Sequence, residues 1–284
     1  MKTKRLLKKD TLSLTNNGEL ELFFIGTGSA NATRHFNTCA LIIKGQAHLL
    51  VDFGADGKMA IAKTTRLKPT DIRCVLPTHS HADHVGGFEC LALQNRYIGR
   101  PLLNHPKIKM IICREYQRVL WDNTLRGGLE WNEEAISDGH SMMVTDLFDI
   151  IHPGWKTHQP RETFELDYEG IHLEIFRTVH IPEQAKNWEA AFLSYGLLID
   201  DRVFYSGDTK FDRELIELYA DRSEMMFHDV QFFPGAVHAP LTDLKQLPPE
   251  IKKKMLLKHY DDNFDKHDVS DFVGYAKQGI RYIF

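Results

Sequence analysis

The sequence predicts an α/β protein, on three observations. Short apolar runs rich in β-branched residues alternate with candidate helices in both halves of the chain. Between His48 and Leu76 the order is strand, helix, strand. That second strand then delivers the loop Thr78-His79-Ser80-His81-Ala82-Asp83-His84-Val85-Gly86-Gly87, placed where α/β sheets put functional loops, beyond a strand's carboxyl end.

Composition bounds what such a protein does. The 284 residues are 43% hydrophobic and 26% charged, enough for a sizeable core. A formal net charge of -4 gives no general attraction to nucleic acid. Cys39, Cys74, Cys90 and Cys113 are widely spaced, so neither a disulfide framework nor a cysteine zinc site is indicated. The N-terminus is basic, but charges interrupt it before an apolar signal core forms, and no stretch reaches membrane-spanning length. The expectation is a cytoplasmic protein without a membrane partner.

In chain order, residues 1–18 read as an arm or short edge strand ahead of one domain, 19–284. Leu20 to Ile25 is a strand ending in Gly26-Thr27-Gly28-Ser29-Ala30, which lacks dinucleotide or P-loop spacing and reads as a tight turn at a site's rim. Cys39 to Lys44 and His48 to Phe53 form a hairpin around Gly45-Gln46. Its second strand ends at Asp52, either a surface turn residue or the carboxylate that orients a metal-bound imidazole. Ala55 to Leu67 is a helix, and the strand through Cys74-Val75-Leu76 leads into the His loop.

Extended at first, that loop points side chains two apart the same way, so His79 and His81 grip one ion. Asp83 and His84 follow the turn and face a second. Neutral imidazoles with a carboxylate are the usual zinc set, which outweighs a His-rich surface loop.

Phe88 to Asn95 is a helix, Ile108 to Cys113 a strand, and Glu115 to Asn123 a helix. Residues 129–160, with His140, His152 and His158, read as an irregular insert: a lid or subunit contact whose histidines are ordinary loop residues. Thr163 to Tyr168 and Ile171 to Thr178 form a hairpin that delivers His180, a candidate third ligand for the first ion. Ala191 to Ile199 and Arg202 to Tyr205 form the next, ending in Ser206-Gly207-Asp208-Thr209. A carboxylate bridges two metals where imidazole cannot, which makes Asp208 the candidate bridge. Phe211 to Ala220 is helical, Met225 to Val230 is a strand carrying His228 and Asp229, and His238 lies in a loop. After a short helix at Pro248-Pro249-Glu250, the strand Met255 to Leu257 leads into His259. Val269 to Lys277 reads as a helix and Arg281 to Phe284 as a last strand.

His79, His81, Asp83, His84, His180, Asp208 and His259 together resemble the metallo-β-lactamase superfamily. That resemblance implies an αβ/βα four-layer sandwich with two metals on its rim: His79, His81 and His180 on one, Asp83, His84 and His259 on the other, Asp208 on both. Zinc is the natural metal, with manganese or iron also compatible. Aspartate at 208, His228-Asp229-Val230-Gln231 and His238-Ala239-Pro240-Leu241-Thr242 resemble the ribonuclease Z branch. Between His180 and Asp208, however, there is little more than one hairpin, where that branch carries the long arm that clamps tRNA. Trp121-Asp122-Asn123-Thr124-Leu125-Arg126-Gly127-Gly128-Leu129-Glu130, Phe227-His228-Asp229, Leu247-Pro248 and His259-Tyr260 look like the anti-Pycsar cyclic nucleotide phosphodiesterases. Members of that group act as homodimers.

The resemblance implies hydrolysis of 3′,5′-cyclic mononucleotides, an immune second messenger among them, by a metal-bridging hydroxide. Asp83 would orient the attacking water, His238 would protonate the departing alkoxide, and Asp229 would place or tune His238. Without the resemblance His238 reads as an interfacial or capping histidine. The competing functions are a tRNA 3′-processing endonuclease and a protein that sequesters a nucleotide without cleaving it.

Overall fold

The apolar runs become two eight-stranded sheets among the residues that the computed structural model describes, 1–133 and 141–284. In chain order the first sheet takes β1 (Lys2–Arg5), β2 (Glu21–Gly26), β3 (Cys39–Lys44), β4 (Ala47–Val51), β5 (Cys74–Leu76), β6 (Ile108–Ile111) and β7 (Phe148–Ile151). The second takes β8 (Gly154–Thr157), β9 (Thr163–Tyr168), β10 (Ile171–Arg177), β11 (Tyr195–Ile199), β12 (Val203–Tyr205), β13 (Met225–Asp229), β14 (Met255–Lys258) and β15 (Gly274–Tyr275). The last strand, β16 (Ile280–Ile283), returns to the first sheet between β1 and β2.

Both sheets follow one plan. Antiparallel hairpins come first, β2-β3-β4 and β9-β10-β11-β12, and parallel strands follow, β5-β6-β7 and β13-β14-β15. Parallel neighbours need crossovers, supplied by helices at Gly57–Thr65, Phe88–Gln94, Arg114–Leu120, Arg213–Ala220 and Pro249–Lys252. Asp212 caps the Arg213–Ala220 helix by accepting the Leu215 N–H at 3.0 Å, so that helix starts two residues later than its apolar pattern.

Strands β11 to β14 of the second sheet are buried along their whole length, which explains their near-continuous hydrophobic runs. Val203, Tyr205, Met225, Phe227 and Leu256 join the core shared with the first sheet, where the Phe24 and Phe227 rings lie 5.1 Å apart. The alternate residues Phe204, Met226 and Leu257 join a second core beneath Leu215, Ile216, Tyr219 and Ile251 of the covering helices. Ala60, Ile61, Phe88 and Leu91 cover the first sheet in the same way. The layers are therefore helix, sheet, sheet, helix, the αβ/βα sandwich of the metallo-β-lactamase fold.

Two expectations need correction. Val269 to Lys277 is not a helix: Val273 N–H donates to Met255 O, Ala276 N–H to Leu257 O, and Gly274–Tyr275 pairs with β14. Gly274 adopts φ +129°, outside any helix, and Phe272 and Ala276 are buried through sheet packing instead of a helical stripe. The part of 129–160 from residue 141 onward is also more regular than expected, because Val144–Leu147 is a helical turn and β7 and β8 edge the two sheets. The segment is thus the passage from one sheet to the other. His152 donates to Ile112 O and His158 lies against Trp188, as loop residues do, whereas His140 lies outside the described residues.

Candidate metal centre

Every candidate ligand follows the carboxyl end of a strand. β5 leads to His79, β10 to His180, β12 to Asp208 and β14 to His259. After β5 the chain stays extended to His81 (φ -69°, ψ 147°) and then makes one helical turn, Ala82–Val85. This change of direction separates two ligand groups.

In the first group, His81 Nδ1 lies 3.0 Å from His79 Nε2 and 3.1 Å from His180 Nε2. In the second, Asp83 Oδ2 lies 3.1 Å from His259 Nε2 and 3.3 Å from His84 Nε2. Asp208 Oδ2 joins the two, at 3.0 Å from His84 Nε2, 3.3 Å from His259 Nε2 and 3.8 Å from His79 Nε2. Gly207 lets Asp208 reach this point: its φ is +60°, and a Cβ there would overlap Tyr195 O.

The outward ring nitrogens are also held. Asp52 Oδ2 accepts from His84 Nδ1 at 2.7 Å and from Thr78 Oγ1 at 2.8 Å, and Oδ1 accepts the Thr78 N–H at 2.7 Å. Of the two readings of Asp52, the structure shows the carboxylate that orients an imidazole. With its proton committed to Asp52, the Thr78 hydroxyl accepts from His79 Nδ1 at 3.1 Å. His180 Nδ1 donates to Val237 O at 2.9 Å. These bonds put the proton of His79, His84 and His180 on Nδ1 and leave Nε2 as a lone pair facing inward.

That donor set fits metal ions. His79 Nε2 and His180 Nε2 both turn a lone pair toward His81 Nδ1, at 3.0 and 3.1 Å; a single proton on that nitrogen serves one of them well, whereas a cation among the three serves all. Zinc–nitrogen bonds of about 2.0–2.1 Å put tetrahedral ligands about 3.3 Å apart. Buried His84 Nε2 and both Asp208 oxygens have no hydrogen-bond partner despite their proximity, so they converge without bonding one another. Burial holds His79 well below the ordinary imidazole range and brings His180 down to about 4, which keeps both rings neutral. At His84 burial acts downward, but Asp208, Asp83 and Asp52 outweigh it and raise the pKa well above the usual value. The same negative field attracts a divalent cation, whose binding requires the ring neutral.

Asp229, His238 and His259 form a third group with Asp208. Asp229 Oδ2 already accepts from His238 Nδ1 at 2.8 Å and from Thr209 N–H at 2.9 Å, and its Oδ1 is 3.7 Å from His259 Nδ1. It therefore stands behind His238 and His259. Burial lowers the His238 pKa, but the Asp229 carboxylate prevails and holds it up at about 9, so the ring is cationic near neutrality. His238 keeps 22% of its side chain exposed, open to a substrate.

Sequence reasoning missed Lys258 and Gln231. Lys258 is fully buried, donates to Gly207 O at 2.8 Å and sits 3.8 Å from Asp208 Oδ1. Its place just before His259 at a strand end was the one available signal. The rim turn at Gly26–Gly28 is as expected: Tyr260 N–H donates to Thr27 O and Ser29 N–H to Tyr260 O, tying it beside His259.

The family described as anti-Pycsar protein Apyc1 matches residues 20–282. An anti-Pycsar protein Apyc1 from Paenibacillus sp. (strain J14) is 36% identical over 250 residues, covering 87% of this chain and 91% of the relative. One from Bacillus phage 010DV004 is 32% identical over 267 residues, covering 93% and 98%. Among solved structures, the metallo-β-lactamase fold protein YhfI from Bacillus subtilis superposes with a TM-score of 0.64 at 16% identity, covering 94% of this chain and all of that one. No helix among the described residues is long and apolar enough to cross a membrane. On the extent of the match, the chain belongs to the anti-Pycsar Apyc1 family of metallo-β-lactamase-fold proteins.

Proposed function

We propose that this protein is a dinuclear metal-dependent phosphodiesterase that opens 3′,5′-cyclic mononucleotides to nucleoside monophosphates in the cytoplasm, in the manner its family name implies. The observation that carries the reading is one carboxylate, Asp208, shared by two candidate ligand groups beside His238, whose Nδ1 donates to Asp229 at 2.8 Å. In this reading His79, His81 and His180 would hold one ion, Asp83, His84 and His259 the other, and Asp208 would be shared. Zinc suits these ligands, and manganese or iron would be accepted. When bound, two such ions lower the pKa of a water toward neutrality and neutralise charge on the phosphoryl oxygens.

The chain's own residues do the rest. Asp83 orients the attacking water in line with the scissile bond. The departing alkoxide is a poor leaving group and needs a proton. His238 gives it from Nε2, because Nδ1 stays bonded to Asp229. Only the loop at 181–194 and the β11–β12 hairpin separate His180 from Asp208, which favours a small substrate over tRNA. Exposed Tyr97, Ile98, Leu102 and Leu103 offer an apolar face that supports a homodimer.

The test is turnover of 3′,5′-cyclic CMP, UMP, AMP and GMP by metal-loaded protein, with product mass determined. Wild type should yield a linear monophosphate. His238→Ala should lose about 10²–10⁴-fold in kcat with both metals retained. Absence of turnover for all four nucleotides, or cleavage of precursor tRNA alone, overturns the reading.

A further inference from the structure

Residues 231–241 leave β13 and close on themselves. Gln231 N–H donates to Ala239 O at 2.8 Å and Leu241 N–H returns to Gln231 O at 2.9 Å, so the loop has Gln231 at its foot. That residue is 2% exposed, and its side-chain amide fills the loop's interior. Nε2 donates to Phe233 O at 2.8 Å and to Gly235 O, while Oε1 accepts the His238 N–H at 3.2 Å. On the outside, the Glu183 carboxylate accepts the Ala236 N–H at 3.2 Å. Gly235 and Ala236 are left-handed, at φ +79° and +65°, and an alanine keeps that conformation only where its surroundings impose it. The loop delivers two groups to the centre: Val237 O, which accepts from His180 Nδ1, and His238, which donates to Asp229.

We propose that Gln231 is a positioning residue for both halves of the centre, its buried amide setting His180 for metal and His238 for proton transfer at once. The proposal rests on the roles given to those two histidines above. An apolar side chain of the same length would leave Phe233 O, Gly235 O and His238 N without their partner, removing the interior bonds that fix the left-handed turn. Val237 O and the His238 ring would then shift together.

Gln231→Met is the direct probe, with three readouts. Titration with a competing chelator should strip one of the two metals at about 10–100-fold lower chelator concentration than in wild type, the scale expected when a ligand loses its orienting partner. On a cyclic mononucleotide, kcat should fall about 10–100-fold with KM within about threefold. Bis(p-nitrophenyl) phosphate, whose phenolate departs without a proton, should be affected less, because proton donation by His238 matters less there. A role confined to stability would lower the thermal midpoint and leave metal retention and the ratio of the two substrates unchanged, which overturns the proposal. Wild-type chelator sensitivity in folded Gln231→Met overturns it equally. Should that variant not fold, Gln231→Glu keeps the acceptor for His238 N–H, loses the donor to both carbonyls and carries the same comparison. The chelator titration needs no substrate, so it separates this proposal from the identity of the nucleotide.

Discussion

At the scale of single residues, Asp52 shows how much of the centre depends on groups that touch no substrate. Its two oxygens take three hydrogen bonds, one from His84 and two from Thr78, and through the Thr78 hydroxyl they also fix His79. One carboxylate thus orients a candidate ligand in each group. Asp52→Asn keeps the shape but presents an amide N–H where an acceptor is needed. We expect metal affinity to fall about 10–100-fold in both groups, read as chelator concentration at half release. Loss confined to one ion would show that the Thr78 relay to His79 carries nothing. Asp52 was legible in the sequence as one of two readings, because a carboxylate at a strand end beside a His-rich loop has a chemical purpose. Lys258 was barely legible: its place before His259 at a strand end was the one signal, and it does not announce that the side chain folds inward against Gly207 O.

Elements were legible wherever one local pattern decided them. The strands that feed the centre are buried along nearly all their length, so their mainly apolar runs in the sequence mark them, and the candidate ligands stand at their ends. Val269 to Lys277 failed because its partner, β14, is distant in sequence, and pairing rather than periodicity set its conformation. Residues 144–157 failed because edge strands bury one face at most and leave a weak signal; β8 is exposed along most of its length. The Gly207 turn rests on the one residue type that takes a φ of +60° there without strain. Gly207→Ala places a Cβ against Tyr195 O in a left-handed backbone, so the turn between β12 and Asp208 must shift. We expect a loss of about 2 kcal/mol or more in denaturant unfolding, with Asp208 displaced and metal stoichiometry reduced. An alanine variant with wild-type stability and two bound ions would show that the backbone relaxes freely there.

For the whole molecule, the two sheets differ in how acid reaches them. In the first, His48 is 8% exposed and its Nε2 accepts the Arg73 N–H at 3.0 Å, a bond that only the neutral ring makes. Burial is the main cause that brings its pKa down to about 4. The unfolded chain, with His48 near 6.5, binds the proton first, so this contribution is complete above pH 6.5 and is lost as pH falls toward 4. In the second sheet, Glu174 is 3% exposed and accepts from Tyr219 at 2.7 Å, Lys156 at 2.7 Å and Arg222 at 2.9 Å, tying β10 to the edge strand β8 and to the covering helix. Burial pushes its pKa up, but Arg222, Lys156 and Tyr219 bring it down to about 2 against an ordinary 4.5. Its contribution is complete above pH 4.5 and is lost as pH falls toward 2. Acid should therefore loosen the first sheet before the second. The measurement is denaturant unfolding from pH 7 to pH 3 at fixed metal concentration, so that the ligand histidines cancel between variants. Gln at position 48 supplies an acceptor that does not titrate, and His48→Gln should flatten the wild-type loss between pH 6.5 and 4 by on the order of 2 kcal/mol. Glu174→Gln should flatten only the part below pH 4.5, because its amide does not titrate, at the expense of lower stability at pH 7. Identical pH profiles for wild type and His48→Gln would mean that His48 takes its proton without losing the Arg73 bond, and the acid sensitivity of the first sheet would then lie in the ligand histidines.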